Sequence, residues 1–353
     1  MVVGNGASRD TGLIRTLILM GKLLGSLVLL TLLAGLAFQW CATRLDERRY
    51  PMPGVLVQLH GHRMHLDCRG QGSPTVVFEA GLGDTSATWA LVQPAVAQFT
   101  RACSYDRPGL GWSEESSDPR DTLHVVAELH ELLLKAHIDG PYILVGHSFG
   151  GLNQLVFESL HPDEVAGIVL VDSSYPDQMS RLPGISPEEY AAEMKWKVLA
   201  APLGLQRLAG WCRDDYTFPN ISTAWQQVAP VDIALDCRTS TFRATRDEML
   251  AFRKSGKEAA SVTTLHALPL IVLSHDPQIG LGAPDQIAAE TEKQWNTMQE
   301  QLRSLSTNSK RVIARTSMHY VESYRPELVI HAIEEVFAAS KTGHTIAAAT
   351  SEQ

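Results

Sequence analysis

The run Val145-Gly146-His147-Ser148-Phe149-Gly150-Gly151 holds the residues best suited to covalent chemistry. A serine flanked at two positions on either side by glycine fits a tight turn from strand into helix. Side chains at 146 and 150 would collide in such a turn, so glycine is needed there. The turn holds the Ser148 hydroxyl above the edge of a sheet, and the helix that follows favours negative charge developing beside it. A free serine hydroxyl is a poor nucleophile, so a base must take its proton. Of the chain's 13 histidines, His147 reads as a packed neighbour of the nucleophile and not as a reactant. His60, His62 and His65 lie close together on a proposed hairpin, but without cysteine or carboxylate support no metal site is expected from them. Asp106 and Arg107 read as a turn whose charges pair locally, with substrate contact as the competing reading.

These residues need a scaffold, and the surrounding pattern supplies one. Residues 55–62 and 63–70 read as a hairpin, and 75–81, 101–109, 142–146, 167–172, 268–276 and 310–314 as further strands. Between them, 119–137 carries Leu123, Val126, Leu129, Leu132 and Leu133 at helical spacing, and 151–160 reads as a second helix. Strands alternating with helices imply a mostly parallel sheet covered on both faces. Residues from about 175 to 262 break that rhythm and look wholly helical, which reads as a cap over the sheet's carboxyl edge. Ser186-Pro187-Glu188-Glu189 opens one of its helices as a capping box with proline at the first position.

Several segments in this order resemble the α/β-hydrolase superfamily. Glu79-Ala80-Gly81-Leu82-Gly83 stands where that family carries its oxyanion loop, and Trp89 follows. Tyr105–Ser113 looks like its D-x-x-G-x-G-x-S stretch, the serine turn comes next, and Ser317-Met318-His319 with Arg325-Pro326-Glu327 resembles its closing histidine segment. Ala80 and Met318 depart from the usual histidine and glycine, but neither position supplies a reacting atom. The resemblance covers about residues 55–338 and implies an α/β fold with a mostly parallel eight-stranded sheet, helices on both faces and a helical cap. It implies His319 as the base and the backbone N–H groups of Leu82 and Phe149 as the oxyanion hole. For the acid that orients the histidine it offers two positions. Asp276, after the strand LPLIVLSH, is preferred, and Asp172, ending GIVLVD, is the alternative. No metal or organic cofactor is needed by this route. The family strand order would also set Cys68 beside Cys103, while Cys212 and Cys237 both fall in the cap. Two disulfides and four free thiols are the competing readings.

One segment lies outside that scheme. Leu23–Thr43 has 21 consecutive uncharged residues, a helix of roughly 30 Å and so the thickness of a bilayer core. It reads as an uncleaved anchor, with a cleaved signal peptide as the alternative. The organisation expected is a flanking segment 1–22, an anchor 23–43, a linker 44–54, the hydrolase unit 55–338 and a loose tail 339–353. The flanking arginines and lysine are nearly balanced, so orientation rests on the cysteines. Disulfides would put the catalytic unit on the extracytoplasmic side. A net charge of −9 with no basic run excludes a nucleic-acid binder and leaves the membrane link to the helix alone. The expected activity is hydrolysis of a small, apolar carboxylic ester by a membrane-bound serine esterase, with amide or thioester substrates ranked lower. A cofactor-free perhydrolase, a carbon–carbon bond hydrolase and a non-catalytic membrane-tethered binding protein are the alternatives.

Overall fold

The computed structural model describes residues 7–182, 186–212, 221–279, 286–346 and 350–352. Nine strands form one sheet: β1 (Val55–Gln58), β2 (Arg63–Arg69), β3 (Thr75–Glu79), β4 (Ala102–Tyr105), β5 (Tyr142–His147), β6 (Val165–Val171), β7 (Leu270–Ser274), β8 (Ser309–Ile313) and β9 (Thr350–Glu352). Their order is β1-β2-β4-β3-β5-β6-β7-β8-β9, antiparallel through β4 and parallel from there on. Eight of them match the expected sheet, and β9 adds a short edge strand.

Alternation along the central strands builds two cores. From β5, Leu144 packs on one face with Leu129 and Phe157, and Ile143 and Val145 pack on the other with Trp89, Val329 and Ile333. Helices Thr122–Lys135 and Phe149–Leu160 cover the first face, and helix Pro326–Thr342 the second. Sheet and helices thereby place the carboxyl ends of β5, β6 and β7 side by side at one rim.

Between β6 and β7 the described residues form only helices, the longer ones being Pro187–Ala200, Trp225–Asp236 and Thr239–Ala259. Ser186 caps the first of these, its Oγ accepting the Glu189 N–H at 3.2 Å with Pro187 as the first helical residue. Cys68 is joined to Cys103 and Cys212 to Cys237, while Cys41 is free and exposed.

Two boundaries differ from expectation. The first helix, α1 (Ala7–Arg49), runs through most of the expected linker. Its far end is held by the cap: Gln39 Nε2 donates to the Cys237 carbonyl at 2.9 Å, and Arg207 pairs with Asp46 at 2.7 Å. The tail from 339 is also tied down. Helix Pro326–Thr342 continues past that point, Ile346 is buried with its N–H on Asn308 Oδ1 at 2.6 Å, and β9 pairs with β8.

Candidate active site

Ser148 stands between β5 and helix Phe149–Leu160 with φ 50° and ψ −119°, a backbone conformation that L-residues rarely adopt. Its N–H donates to the Val171 carbonyl at 3.1 Å, and its own carbonyl accepts from Gly151 at 3.0 Å and Ser174 at 2.9 Å. The flanking glycines are required by space as well as by pattern. A Cβ on Gly146 would lie 2.7 Å from the Gly150 backbone, and one on Gly150 would lie 2.6 Å from the Glu79 carbonyl oxygen.

His319 lies in the loop after β8, with its Nδ1 2.6 Å from Asp172 Oδ2. A ring that donates Nδ1–H to a carboxylate keeps its lone pair on Nε2, the tautomer a general base needs. Asp172 follows β6, and its N–H extends the sheet to the Leu273 carbonyl at 2.8 Å. Its carboxylate is fully buried and multiply held. Oδ1 accepts from Trp295 Nε1 at 2.9 Å and from the His275 N–H at 3.1 Å, and Oδ2 also meets His275 Nδ1 at 2.8 Å. Burial opposes its ionisation, but the two histidines outweigh that and hold the carboxyl well below the usual range.

Asp276, the preferred acid of the sequence reading, makes other contacts. It accepts from the N–H groups of Thr316 and Gln278 at 3.0 Å each and from Arg315 Nη1 at 2.9 Å. Its carboxylate folds the loop that leads to His319, and the histidine's partner is Asp172. Sequence reasoning missed the residues behind that partner. His275 bridges Asp172 and Glu292, with Nε2 2.9 Å from Glu292 Oε2. Burial works against its charge, but the two carboxylates raise it to about 10, so it is an imidazolium at neutral pH.

His147 packs against His319, ring centroids 4.7 Å apart, as the neighbour it was expected to be. Despite burial, Glu322 and Asp84 raise it to about 9. His319 is thus flanked by two imidazolium rings. Burial lowers its proton affinity first, and His147 and His275 lower it further, against the pull of Asp172.

Arg107 is more than a local turn charge. It donates from Nη1 to the Ala80 carbonyl at 2.7 Å and from Nη2 to that of Gly81 at 2.5 Å, and its Nε lies 2.6 Å from Glu248 Oε1. Glu248 Oε2 in turn accepts the Gly83 N–H at 2.8 Å. Arginine and glutamate therefore clamp the loop carrying Leu82. Phe149 is the first residue of its helix, where the backbone N–H has no intrahelical acceptor. Asp106 is a buried hub that accepts from the N–H groups of Ser86 at 2.6 Å and Trp112 at 2.9 Å and pairs with His65 at 2.8 Å. The three hairpin histidines are not brought together. His65 is bound to Asp106, exposed His60 pairs with Glu131 at 2.8 Å, and buried His62 faces Glu128 at 3.9 Å, with Asp118 close by.

A cavity of about 370 Å³ opens beside His319, lined by Asp84, Trp225, Asp232, Asp236 and Tyr320 among others.

Comparison with known proteins bears on this arrangement. A family model described as the alpha/beta hydrolase fold matches residues 74–195. The Bacillus subtilis protein YqjL is 26% identical over 294 residues, which cover 83% of this chain and 93% of that one. An uncharacterised Schizosaccharomyces pombe protein is 34% identical over 139 residues, covering 31% of this chain and only 26% of the relative's length. Among solved structures, a thermophilic esterase from Thermogutta terrifontis superposes with a TM-score of 0.58 at 18% identity, covering 82% of this chain and 99% of that one. The motif order, the sheet order with its positive-φ serine turn, and these likenesses agree, and the chain has the α/β-hydrolase fold.

Proposed function

We propose that the protein is a membrane-tethered serine hydrolase that cleaves a carboxylic ester through an acyl-enzyme on Ser148. His319 takes the Ser148 proton as the hydroxyl oxygen attacks the ester carbonyl. The tetrahedral oxyanion forms against the backbone N–H groups of Leu82 and Phe149. Protonated His319 then gives its proton to the departing alcohol as the carbon–oxygen bond breaks. A water molecule, deprotonated by the same ring, releases the acid and restores the serine. Asp172 holds the imidazole in the required tautomer and stabilises its transient charge.

The observation that carries the reading is a histidine hydrogen-bonded to a buried, ionised aspartate and packed against His147, the residue before the strained serine turn. Membrane attachment is supported by α1, whose Gly12–Arg49 stretch is long and apolar enough to cross a bilayer. The two disulfides favour an extracytoplasmic catalytic unit, since such bonds persist in oxidising compartments. Hydrolysis of a panel of p-nitrophenyl esters by the purified full chain tests the activity. Ser148→Ala is expected to lower kcat by about 10³-fold or more. Equal turnover by the two proteins would overturn the assignment.

A further inference from the structure

The cavity beside His319 has an acidic wall. Asp84, Asp232 and Asp236 all line it, and among the described residues no lysine or arginine pairs with any of them. Among the described residues Asp232 accepts only the Thr85 hydroxyl at 3.0 Å, and Asp84 accepts Tyr320 Oη at 3.3 Å. The nearest cation, His147, is 3.6 Å from Asp84 and is shared with Glu322. Burial and mutual repulsion push Asp232 up to about 7 and Asp236 well above its usual value. Asp84 has His147 beside it, but Asp232 and Asp236 have no cation against them among the described residues, and they meet the cost of burial by holding protons that a bound cation would displace. A second, independent feature points the same way. Ser323 is 1% exposed, lines the same cavity, and its Oγ has no hydrogen-bond partner. The rings of Trp225, Tyr320 and Tyr324 share the wall with Ile221, Ala229 and Met318, an aromatic and apolar lining that suits an organic cation better than a hydrated metal ion.

We propose that this cavity binds an organic ammonium group, so that the preferred esters carry such a cation on the part of the substrate seated beside His319. The ligand assignment stands on the cavity alone, and the substrate assignment rests in addition on the serine-hydrolase reading. The test uses the full chain in detergent. Calorimetry compares phenyltrimethylammonium with its neutral isostere tert-butylbenzene. Kinetics in parallel compare an ester bearing a trimethylammonium group with the matching tert-butyl ester. The cation is expected to bind at least about tenfold more tightly than the isostere, and its ester to show a kcat/KM at least about tenfold higher. Asp232→Asn and Asp236→Asn, which relieve repulsion and so spare the fold, should each pull both ratios towards one. Equal binding of the two probes, or binding of neither, overturns the proposal. Tight cation binding with equal kcat/KM overturns its substrate half. Tight cation binding with hydrolysis of neither ester upholds the cavity and contradicts the hydrolase reading.

A different observation concerns the outer face of the cap. Trp196, Leu199, Leu208 and Trp211 are 74%, 58%, 66% and 62% exposed within 16 residues of chain, counting from 196 to 211. This face adjoins α1. Gly35 packs so closely on the cap that an added Cβ would lie 2.9 Å from the Leu203 carbonyl oxygen, and Phe38 covers Gly204. Gly35 sits well inside the uncharged run that ends at Thr43, about 12 Å before its end at 1.5 Å per residue. A bilayer that takes in Leu23–Thr43 therefore reaches the level of Leu203 and the apolar side chains around it. We infer that this edge of the cap is seated in the membrane, its two tryptophans at the interface and its leucines among the acyl chains. The inference rests on α1 being a span, and one experiment separates the two claims. In a Cys41→Ser background, Leu208→Cys and Leu33→Cys are labelled with an environment-sensitive fluorophore, and the full chain is reconstituted in phosphatidylcholine vesicles. Both positions are expected to give lipid-like emission that iodide fails to quench. Water-like, iodide-quenched emission at 208 with lipid-like emission at 33 overturns the seating of the cap alone. Water-like emission at both overturns the span and the seating together.

Discussion

Asp172 and Asp276 end neighbouring parallel strands, β6 and β7, in register at Val171 and Leu273. Both therefore leave the sheet at the same rim, and local sequence has no means of telling which one turns to the histidine. The hydrogen bonds decide it, since Asp172 meets His319 while Asp276 is consumed by Thr316, Gln278 and Arg315. Ser148 and His319 were legible because their chemistry is tied to a motif with steric rules. His275 and Glu292 were not, because a buried carboxylate–imidazolium–carboxylate bridge is assembled from a strand end and a distant helix. We expect Asp172→Asn to lower kcat by about 10³–10⁴-fold with the chain still folded, and Asp276→Asn to leave kcat within about tenfold. Paired kinetics and circular dichroism check this, and the reverse ranking would return the acid role to Asp276. The pH dependence follows from the charges around His319. Only the neutral ring accepts a proton, and burial and two neighbouring imidazolium groups lower its affinity for one. The acid limb of kcat/KM is therefore expected below the ordinary histidine value of about 6.5. His275→Gln removes one cation and frees Asp172 to act more strongly on His319, so the limb should move up by about one unit. A limb unmoved by that substitution would mean that His275 only packs.

At the scale of elements, the strands were legible because buried parallel strands read as short β-branched runs ending in glycine or aspartate. The capping box at Ser186 likewise identified its helix. The clamp on the oxyanion loop was less visible. Glu248 belongs to the amphipathic helix Thr239–Ala259, whose buried stripe includes Ala244, Phe252 and Ala259. An acid on that stripe was the available signal, since a carboxylate rarely enters a core unpaired. That helix belongs to the cap, so the cap helps to hold the Gly81–Gly83 loop. Glu248→Gln leaves the buried Arg107 with Glu79 at 3.6 Å as its remaining carboxylate. The expected cost is about 3 kcal/mol of stability, together with a lower kcat at nearly constant KM as Gly81–Gly83 loosens. Thermal unfolding and steady-state kinetics measure the two effects. A loss of stability with kcat unchanged would confine the clamp to a structural role.

For the whole molecule, average composition concealed two unlike parts. A bilayer-length helix precedes an acidic catalytic unit, and the cap grips the helix at Gln39, near the end of its uncharged run, and at Asp46, just beyond it. That docking was illegible in sequence because its polar contacts join residues more than 150 positions apart. The cysteines connect architecture to compartment. Mapping the chain by non-reducing digestion and mass spectrometry is expected to recover the Cys68–Cys103 and Cys212–Cys237 peptides, with Cys41 alkylated. Four free thiols would remove the support for an extracytoplasmic orientation. All of these readings depend on Ser148 being the group that is acylated. The most direct measurement treats membranes containing the full chain with a fluorophosphonate and locates the adduct by peptide mass spectrometry. A single stoichiometric adduct on Ser148, absent in Ser148→Ala and slowed by several orders of magnitude in His319→Ala, is the predicted result. No adduct, or an adduct on another residue, would contradict the serine-hydrolase account.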